Sequence, residues 1–236
     1  MPGHVIYRGP SKLDGASIFV TVISGSSNRK TGDLLQTYIM RADMDPRLAS
    51  KLGEDASICG DCRHRGTPTL DPARSVAEQR SCYVAIGQGP LQVWKAFHAG
   101  RYALASPSEA REIGAGRFVR LGTYGDPAAV PTSVWTALLT QAQGWTGYTH
   151  NGASSALCMV SADSLGEAQQ AWQAHKRTFR IIRDVSEVQR NEVLCPASAE
   201  AGFKTTCLNC RLCNGDGSAH AKSVAIVAHG PGRNFV

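Results

Sequence analysis

The sequence lacks the features that mark membrane and secreted proteins. Its 236 residues contain no run of about 18 apolar residues, the length that a transmembrane helix needs. The first 15 residues contain no apolar core long enough for a secretory signal peptide. We therefore expect a cytoplasmic protein without a membrane partner.

The motifs of two large groups of enzymes are also missing. No Gly-Lys-Ser/Thr sequence occurs, which argues against a phosphate-binding P-loop. The Cys-x3-Cys-x2-Cys signature of radical S-adenosylmethionine (SAM) enzymes is absent as well. The composition, with 42% hydrophobic and 19% charged residues, is otherwise that of an ordinary globular protein.

Basic residues outnumber acidic ones without forming a nucleic-acid-binding motif. There are 25 lysines and arginines against 19 aspartates and glutamates, which gives a formal net charge of +6. The basic residues are scattered, with a mild concentration from Arg63 to Arg120, and no aromatic residues are interleaved with them. This balance permits contact with nucleic acid or an anionic small molecule, but a solvated surface is the simpler interpretation.

The sequence is rich in cysteine, and seven of its eight cysteines fall into two sets. In a reducing cytoplasm, clustered cysteines more often bind metal than form disulfides. One set contains Cys195, directly before Pro196, and the triplet Cys207-x2-Cys210-x2-Cys213. Such a triplet lets one loop supply three ligands of a [4Fe–4S] cluster, while the remote cysteine supplies the fourth. The alternative is a zinc site with four cysteine ligands, although zinc motifs more often contain two separate Cys-x2-Cys pairs.

The other set contains Cys59-x2-Cys62 and Cys82. Three thiolates could hold a [4Fe–4S] cluster and leave one iron open to a substrate or to S-adenosylmethionine. A zinc ion completed by His64, by His98 or by a cysteine of the first set is an alternative. Convergence of all seven cysteines on one place is another, and the spacing alone does not rank these options.

Hydrophobic patterning predicts an α/β protein. Eight short apolar strands alternate with helices or loops, and their centres lie at Ile18, Val84, Phe118, Gly147, Met159, Ile181, Val193 and Ala225. This alternation predicts a (β/α)8 TIM-barrel-like fold in a single domain of residues 1–236, with irregular cysteine-rich loops. Residues 17–230 would form the barrel-like core and residues 1–16 an irregular lead-in. An open doubly wound sheet is the alternative. Cys158 lies in an apolar strand and is expected in the core.

Capping residues predict where helices begin and end. Asp45-Pro46 predicts a helix that ends at Gly53, and Gly89-Pro90 predicts one that ends at Gly100. A capping box at residues 164–167 predicts a helix that continues to about Lys176.

In barrels of this type the functional site lies at the carboxyl ends of the strands. Polar or ligating residues follow the predicted strands at Asp126, His150, Asn151, Asp163, Arg183, Asp184, Cys195 and His229. Of these, Asp126, His150 and His229 are candidates for proton transfer, and Arg183 is a candidate for binding an anionic substrate. Any one of them could instead cap a helix, as Asp163 beside Ser164 illustrates.

Four segments together carry a resemblance to a protein family. They are SICGDCRHRG followed by SCYVAIGQGPLQVWKAFHAGRY, then FVRLGTYGDPA, then LCPASAEAGFKTTCLNCRLCNG. In this order they resemble uncharacterised cysteine-rich proteins of bacteriophages and prophages, which are distantly similar to radical SAM-like barrels. The resemblance runs from about Ser17 to the C terminus and implies an iron–sulfur cluster in a TIM-barrel-like fold, in the cytoplasm of a host cell. It implies that Gly125 and Asp126 form a barrel turn, and that the motif cysteines are Cys59, Cys62, Cys82, Cys195, Cys207, Cys210 and Cys213.

Two hypotheses about function follow from these patterns. The first is a phage-encoded iron–sulfur protein, with a small-molecule substrate or a redox partner, whose cluster performs redox or Lewis-acid chemistry. The second is a regulatory protein that binds nucleic acid or host polymerase and uses zinc or a cluster only to hold its fold together. A buried metal with four thiolate ligands would favour the second hypothesis, whereas an open iron beside a polar pocket would favour the first.

Overall fold

The computed structural model describes residues 2–25, 30–152, 156–215, 222–230 and 232–236. The strands are β1 (Gly3–Pro10), β2 (Ser17–Ile23), β3 (Leu35–Arg41), β4 (Ala103–Leu104), β5 (Phe118–Tyr124), β6 (Gly144–Thr146), β7 (Tyr148–Thr149), β8 (Met159–Ala162), β9 (Thr178–Ile182), β10 (Glu192–Leu194) and β11 (Ser223–Val227). The helices are α1 (Pro46–Leu52), α2 (Ala56–Cys59), α3 (Gly89–His98), α4 (Pro107–Gly114), α5 (Thr132–Leu139), α6 (Leu165–Gln173) and α7 (Cys207–Cys210).

The strands form two mostly parallel sheets. The first has the order β4-β1-β2-β3-β5-β6, in which β2 is antiparallel to both β1 and β3. The second has the order β10-β11-β9-β8-β7 and is parallel throughout. Six of the seven residues of β2 are buried, as expected for a central strand rich in β-branched and aromatic side chains.

The two sheets meet at Gly147, which lies between β6 and β7. The Gly147 N–H donates to the carbonyl of Cys213 at 2.9 Å, and its own carbonyl accepts from the N–H of Met159 at 3.0 Å. A side chain would not fit here, because a Cβ atom on Gly147 would lie 2.9 Å from the Cys158 sulfur. One short stretch of chain therefore connects the parallel strands of both sheets to the loop that carries Cys213.

Each sheet has its own cluster of buried apolar side chains. The cluster under the first sheet includes Phe19, Ile39 and Trp135, and the indole N–H of Trp135 donates to the carbonyl of Pro127 at 2.9 Å. Cys158 belongs to this cluster with no exposed surface, which confirms its predicted place in the core. A smaller cluster under the second sheet includes the buried thiol-bearing residue Cys195.

The α/β class is confirmed, but a closed (β/α)8 barrel is not shown by the described strands, whose outermost members are β4 and β10. The predicted irregular lead-in at residues 1–16 is wrong, because residues 3–10 form β1 and pair with β2. The strand predicted around Val84 is also wrong, since residues 81–85 form a loop.

The capping signals predicted α1, α3 and α6, but not α4, which begins with a capping box at Ser106 and Glu109. Asp45 accepts a hydrogen bond from the N–H of Arg47 and caps α1, and Gly53 ends it with a φ of 79°. Helix α6 begins after Ser164, whose side chain accepts from the N–H of Glu167. Across the described part of the chain, no helix combines the length and the apolar character needed to cross a bilayer.

Candidate metal centres

Four cysteines line one cavity of about 130 Å³ at the carboxyl end of the second sheet, which we call cavity 1. They are Cys195, Cys207, Cys210 and Cys213. Cys195 directly follows β10, and its N–H donates to the carbonyl of Ala225 at 2.7 Å. This bond extends the pairing of β10 with β11 and holds the first cysteine at the sheet edge.

The triplet reaches the same cavity through a tight helical turn. Helix α7 carries Cys207 and Cys210, and it ends at Arg211, whose φ of 58° is left-handed. This conformation reverses the chain, so that Cys213 also lines the cavity. The turn is anchored at its start, where the N–H of Cys207 donates to the carbonyl of Lys30 at 2.9 Å.

Two thiols of cavity 1, those of Cys195 and Cys213, resist ionisation unless a cation lies beside them. Burial raises the pKa of Cys213, and the neighbouring thiols of Cys195, Cys207 and Cys210 raise it further. Burial likewise raises the pKa of Cys195, although the Lys30 ammonium opposes that rise. A cationic metal core would stabilise the four thiolates together, so the donor set fits a metal–thiolate group.

A half-buried arginine forms part of the cavity 1 wall. Arg120 on β5 donates to the hydroxyls of Tyr83 at 2.5 Å and Tyr148 at 3.0 Å. Burial lowers the pKa of Arg120, but the facing hydroxyls of Tyr83 and Tyr148 and the thiol of Cys207 raise it further than burial lowers it. The guanidinium therefore stays charged beside the cysteines.

A second cavity of about 100 Å³, called cavity 2, holds the other cysteine set. Its lining includes Cys59, Cys62 and Cys82 together with polar side chains that the first cavity lacks, namely His64, Asp126, His150 and Asp163. Burial raises the pKa of Cys59 well above its usual value, and the carboxylates of Asp55 and Asp126 add to the rise. A cation beside the Cys59 thiol would favour its ionised form and offset this rise.

Arginines hold the loops of cavity 2 in place. Arg65 donates to the carboxylate of Asp55 at 2.8 Å and to the carbonyl of Gly60 at 2.9 Å. Gly60, within the Cys-x2-Cys motif, has a φ of 56°, and a Cβ atom there would lie 2.1 Å from the side chain of Asn151. The motif therefore requires glycine at this position. The guanidinium of Arg80 donates to the carbonyl of Cys82 at 2.9 Å.

Three further ligand-type side chains converge on cavity 2. The Nε2 atoms of His64 and His150 lie 3.1 Å and 3.0 Å from the same Asp163 oxygen, Oδ1. Burial lowers the pKa of His150, but its hydrogen bonds with Asp163 and Cys62 outweigh burial and raise that pKa to about 10. Burial raises the pKa of Asp163, but the two histidines hold it well below its usual value.

The two cavities share a wall of three aromatic side chains and one isoleucine. Tyr83, Tyr148, Phe179 and Ile181 line both. The two tyrosine hydroxyls are 2.8 Å apart, and the Tyr148 ring stacks on Phe179 with centroids 4.1 Å apart. Because the wall is only one layer of side chains thick, a group in one cavity is close to a group in the other.

The predicted catalytic residues lie in different environments. Asp126 is buried, and its carboxylate accepts hydrogen bonds from Thr149 Oγ1, the Asn151 side chain and the backbone N–H groups of Ala128 and His150. These four bonds tie the end of β5 to the end of β7 and occupy both oxygens of the Asp126 carboxylate.

His229 and Arg183 are separated from the group around His150. His229 lines cavity 1, where its Nδ1 lies 3.1 Å from the carbonyl of Val227. Arg183 is exposed, and its Nε donates to the carbonyl of Val236 at 2.6 Å. It is not among the described residues that line either cavity, so its predicted contact with a substrate at the strand ends is not supported.

Sequence reasoning undervalued several residues of these sites. The sequence allows Asp163 to be a helix cap, yet Ser164 caps α6 and the Asp163 carboxylate faces two histidines. His98, an alternative zinc ligand, instead lies against Trp94 with ring centroids 4.0 Å apart. No sequence signal pointed to Arg120, because its role depends on contacts between residues distant along the chain.

The seven motif cysteines all lie in the described part of the chain, and none of them forms a disulfide. Neither a family model, nor a curated protein, nor a solved structure matches this chain. The resemblance to cysteine-rich phage proteins therefore stays a prediction, and the two cavities have to be interpreted from their own chemistry.

Proposed function

We propose that this is an iron–sulfur protein that holds a [4Fe–4S] cluster in cavity 1. The ligands would be Cys195, Cys207, Cys210 and Cys213. The observation that carries the proposal is that these four side chains, from two separate segments, line one cavity. A bound cluster would supply one-electron redox chemistry or a Lewis-acidic iron at the carboxyl end of the sheet.

The sequence spacing of the cysteines supports a cluster over a single zinc ion. The triplet Cys207-x2-Cys210-x2-Cys213 lets one loop supply three ligands of a [4Fe–4S] cluster, and Cys195 supplies the fourth. Zinc motifs more often contain two separate Cys-x2-Cys pairs.

The charge of the surrounding wall supports the same proposal. A [4Fe–4S] cluster with four thiolate ligands is an anion, and cationic neighbours stabilise it. Lys30, Arg120 and Arg211 all line cavity 1. The Arg120 charge is held in place by Tyr83 and Tyr148, so it acts on the cavity from a fixed position.

The wider fold fits this proposal as an incomplete (β/α)8-type barrel. Parallel pairing runs from β3 through β5 to β6, and from β7 through β8, β9 and β11 to β10. Both cavities lie at the carboxyl ends of these strands, where such folds place their functional sites. This placement favours a functional cluster over one that only stabilises the fold, and it fits the predicted phage family.

Anaerobic purification tests the proposal through iron, acid-labile sulfide and zinc content together with a visible absorption spectrum. We expect a coloured protein that contains acid-labile sulfide and at least as much iron as sulfide. Cys207→Ala removes a ligand of cavity 1 and should remove that cluster. Cys158→Ala is the matched control, because this buried cysteine belongs to the core beneath the first sheet.

Variants also decide how many clusters the protein holds. Cys62→Ala should leave iron and sulfide unchanged if cavity 1 holds the only cluster, and should lower both if Cys59, Cys62 and Cys82 hold another. A colourless protein with about one zinc ion and no sulfide would contradict the iron–sulfur proposal. Full iron and sulfide content in Cys207→Ala would contradict the ligand assignment.

A further inference from the structure

Cavity 2 contains a set of ligands that the iron–sulfur proposal does not use. His64 lies in a short 3₁₀ helix, His150 directly follows β7, and Asp163 directly follows β8. Because β7 and β8 are adjacent and parallel, their carboxyl ends bring His150 and Asp163 together. Two imidazoles and one carboxylate on neighbouring elements match the ligand pattern of many mononuclear metal sites.

The distances within this set are those of ligands that share one ion. Bonds of about 2.0–2.2 Å to a common metal, at roughly a right angle, place two donor atoms about 3 Å apart. The Asp163 Oδ1 atom lies 3.1 Å from His64 Nε2 and 3.0 Å from His150 Nε2. All three donor atoms lie within 4.8 Å of one another.

The His64 contact with Asp163 is short but is not a hydrogen bond. His64 Nε2 is fully buried and has no hydrogen-bond partner, despite its distance of 3.1 Å from Asp163 Oδ1. A proton on this nitrogen would not point along the line between the two atoms. A metal ion held by both atoms also lies off that line, so it would satisfy the nitrogen where a hydrogen bond does not.

A supporting contact fixes the His64 ring. Its other nitrogen, Nδ1, lies 2.7 Å from the hydroxyl of Ser81. When Nδ1–H donates to that hydroxyl, Nε2 carries a lone pair directed towards Asp163. Metal-binding histidines are commonly oriented in this way by a hydrogen bond at the second nitrogen.

We propose that His64, His150 and Asp163 bind one divalent first-row metal ion, with Fe²⁺ as the ion best suited to two imidazoles and one carboxylate. The three ligands leave coordination positions open towards cavity 2, whose wall includes Tyr148, Phe179 and Cys62. A small ligand or a water molecule could bind the ion there. This site is independent of the cysteine cluster in cavity 1 and does not require it.

Manganese is the probe that separates this site from the cysteine sites. Thiolates favour zinc, copper and iron–sulfur clusters, whereas carboxylate ligands suit Mn²⁺. Mn²⁺ is titrated into the full-length protein, and the electron paramagnetic resonance signal of the free ion is followed. We expect saturable binding of one ion per chain, and anaerobic addition of Fe²⁺ should displace it, because Fe²⁺ binds such ligands more tightly.

Substitutions identify the ligands. Asp163→Asn and His64→Gln should each weaken Mn²⁺ binding at least tenfold, and Ser81→Ala should weaken it by roughly 10- to 100-fold without removing a ligand. The matched controls are Asp184→Asn, at the end of the next strand, and His98→Gln, whose ring lies against Trp94. Both controls should keep wild-type affinity. Wild-type affinity in Asp163→Asn and His64→Gln would overturn the proposal.

A measurement on the wild-type protein keeps the test decisive if a variant fails to fold. Electron spin-echo modulation of the bound Mn²⁺ detects nitrogen nuclei that are bonded to the ion. We expect coupling to the nitrogens of two imidazoles. Bound Mn²⁺ without imidazole coupling, or no saturable binding at all, would refute the site, and neither result bears on the iron and sulfide content of cavity 1.

Discussion

The buried ion pair between Arg180 and Glu192 should be one of the most sensitive points of the second sheet. Arg180 on β9 donates from Nε to Glu192 Oε1 at 2.8 Å and from Nη2 to Oε2 at 2.6 Å. The side chains are 4% and 0% exposed. Glu192 begins β10, the strand that leads into Cys195, so the pair connects the sheet to cavity 1.

The expected cost of breaking the pair follows from this burial. Arg180→Met would leave the Glu192 carboxylate buried without its cation, and would remove the bond from Nη2 to the carbonyl of Glu187 at 2.9 Å. Removing one partner of a buried ion pair typically costs about 3–5 kcal/mol. In a chain of this size each kcal/mol lowers the melting midpoint by roughly 2–4 °C, so we expect a decrease of about 6–20 °C.

Thermal unfolding followed by circular dichroism measures this effect, with the double variant as the critical comparison. Arg180→Met/Glu192→Leu removes both charges and should recover most of the loss, because apolar side chains often replace a buried ion pair with little net cost. The N–H of Gln189 still loses its acceptor on Glu192, so recovery should be incomplete. The coupling between the two substitutions should exceed about 2 kcal/mol.

An exposed pair supplies the control. Arg117 and Asp33 lie 3.2 Å apart with side chains that are 36% and 69% exposed, so Arg117→Met should cost no more than about 1 kcal/mol. A loss in Arg180→Met as small as that in Arg117→Met would refute the reasoning. The reasoning would also be refuted if the double variant lost as much stability as Arg180→Met and Glu192→Leu lose together. The loss in Arg180→Met would then not come from an unpaired buried charge.

Two further predictions concern the packing of helices and the charge beside cavity 1. A Cβ atom on Gly114 would lie 1.9 Å from the carbonyl oxygen of Leu138, so Gly114→Ala should lower stability by about 1–3 kcal/mol in a denaturant titration. Gly87→Ala, where no atom lies within 4 Å of the added carbon, should change little, and equal losses would contradict the overlap. Arg120→Met removes a fixed cation beside the proposed cluster. Loss of this cation disfavours the more negative, reduced form of the cluster, so the reduction potential should fall in a redox titration. An unchanged or higher potential would count against a charged arginine at the cluster.

The sequence predicted most of the strands because each contains a short run of apolar residues. Strands β2, β5, β9 and β10 lie where those runs predict them. Strand β1 was missed, because its apolar part is short and its outer residues are polar, and it gains its order from pairing with β2. That pairing depends on the tertiary structure, which local composition does not report.

The false strand at residues 82–86 has a specific physical cause. Its residues have high strand propensity, but the carbonyls of Cys82 and Val84 both accept hydrogen bonds from the guanidinium of Arg80 at 2.9 Å. In a sheet, carbonyls two residues apart on one strand accept hydrogen bonds from the neighbouring strand. Here the Arg80 side chain supplies those hydrogen bonds instead, and the segment forms a loop that carries Cys82 into cavity 2.

The sequence predicted those site residues that directly follow a parallel strand. The carboxyl-end rule selected Cys195, His150 and Asp163, and all three line a cavity. The rule does not distinguish candidate ligands from residues that hold the backbone in place. Asp126 occupies the same kind of position, but its carboxylate oxygens accept four local hydrogen bonds. It also could not find His64, which reaches the site from a loop outside the parallel strands.

The difference between the two cavities argues that they do not bind the same group. Cavity 1 combines four cysteines with the cations Lys30 and Arg120, and this set favours an anionic metal–thiolate cluster. Cavity 2 combines three cysteines with histidines and carboxylates, which suit a dication directly. The wall of Tyr83 and Tyr148 keeps the two sets of ligands apart, yet it is one side chain thick. If both proposals hold, a cluster and a mononuclear ion lie on either side of this wall. The Arg120 guanidinium donates hydrogen bonds to both hydroxyls of the wall. It would then couple a change of charge in one cavity to the electrostatic potential in the other.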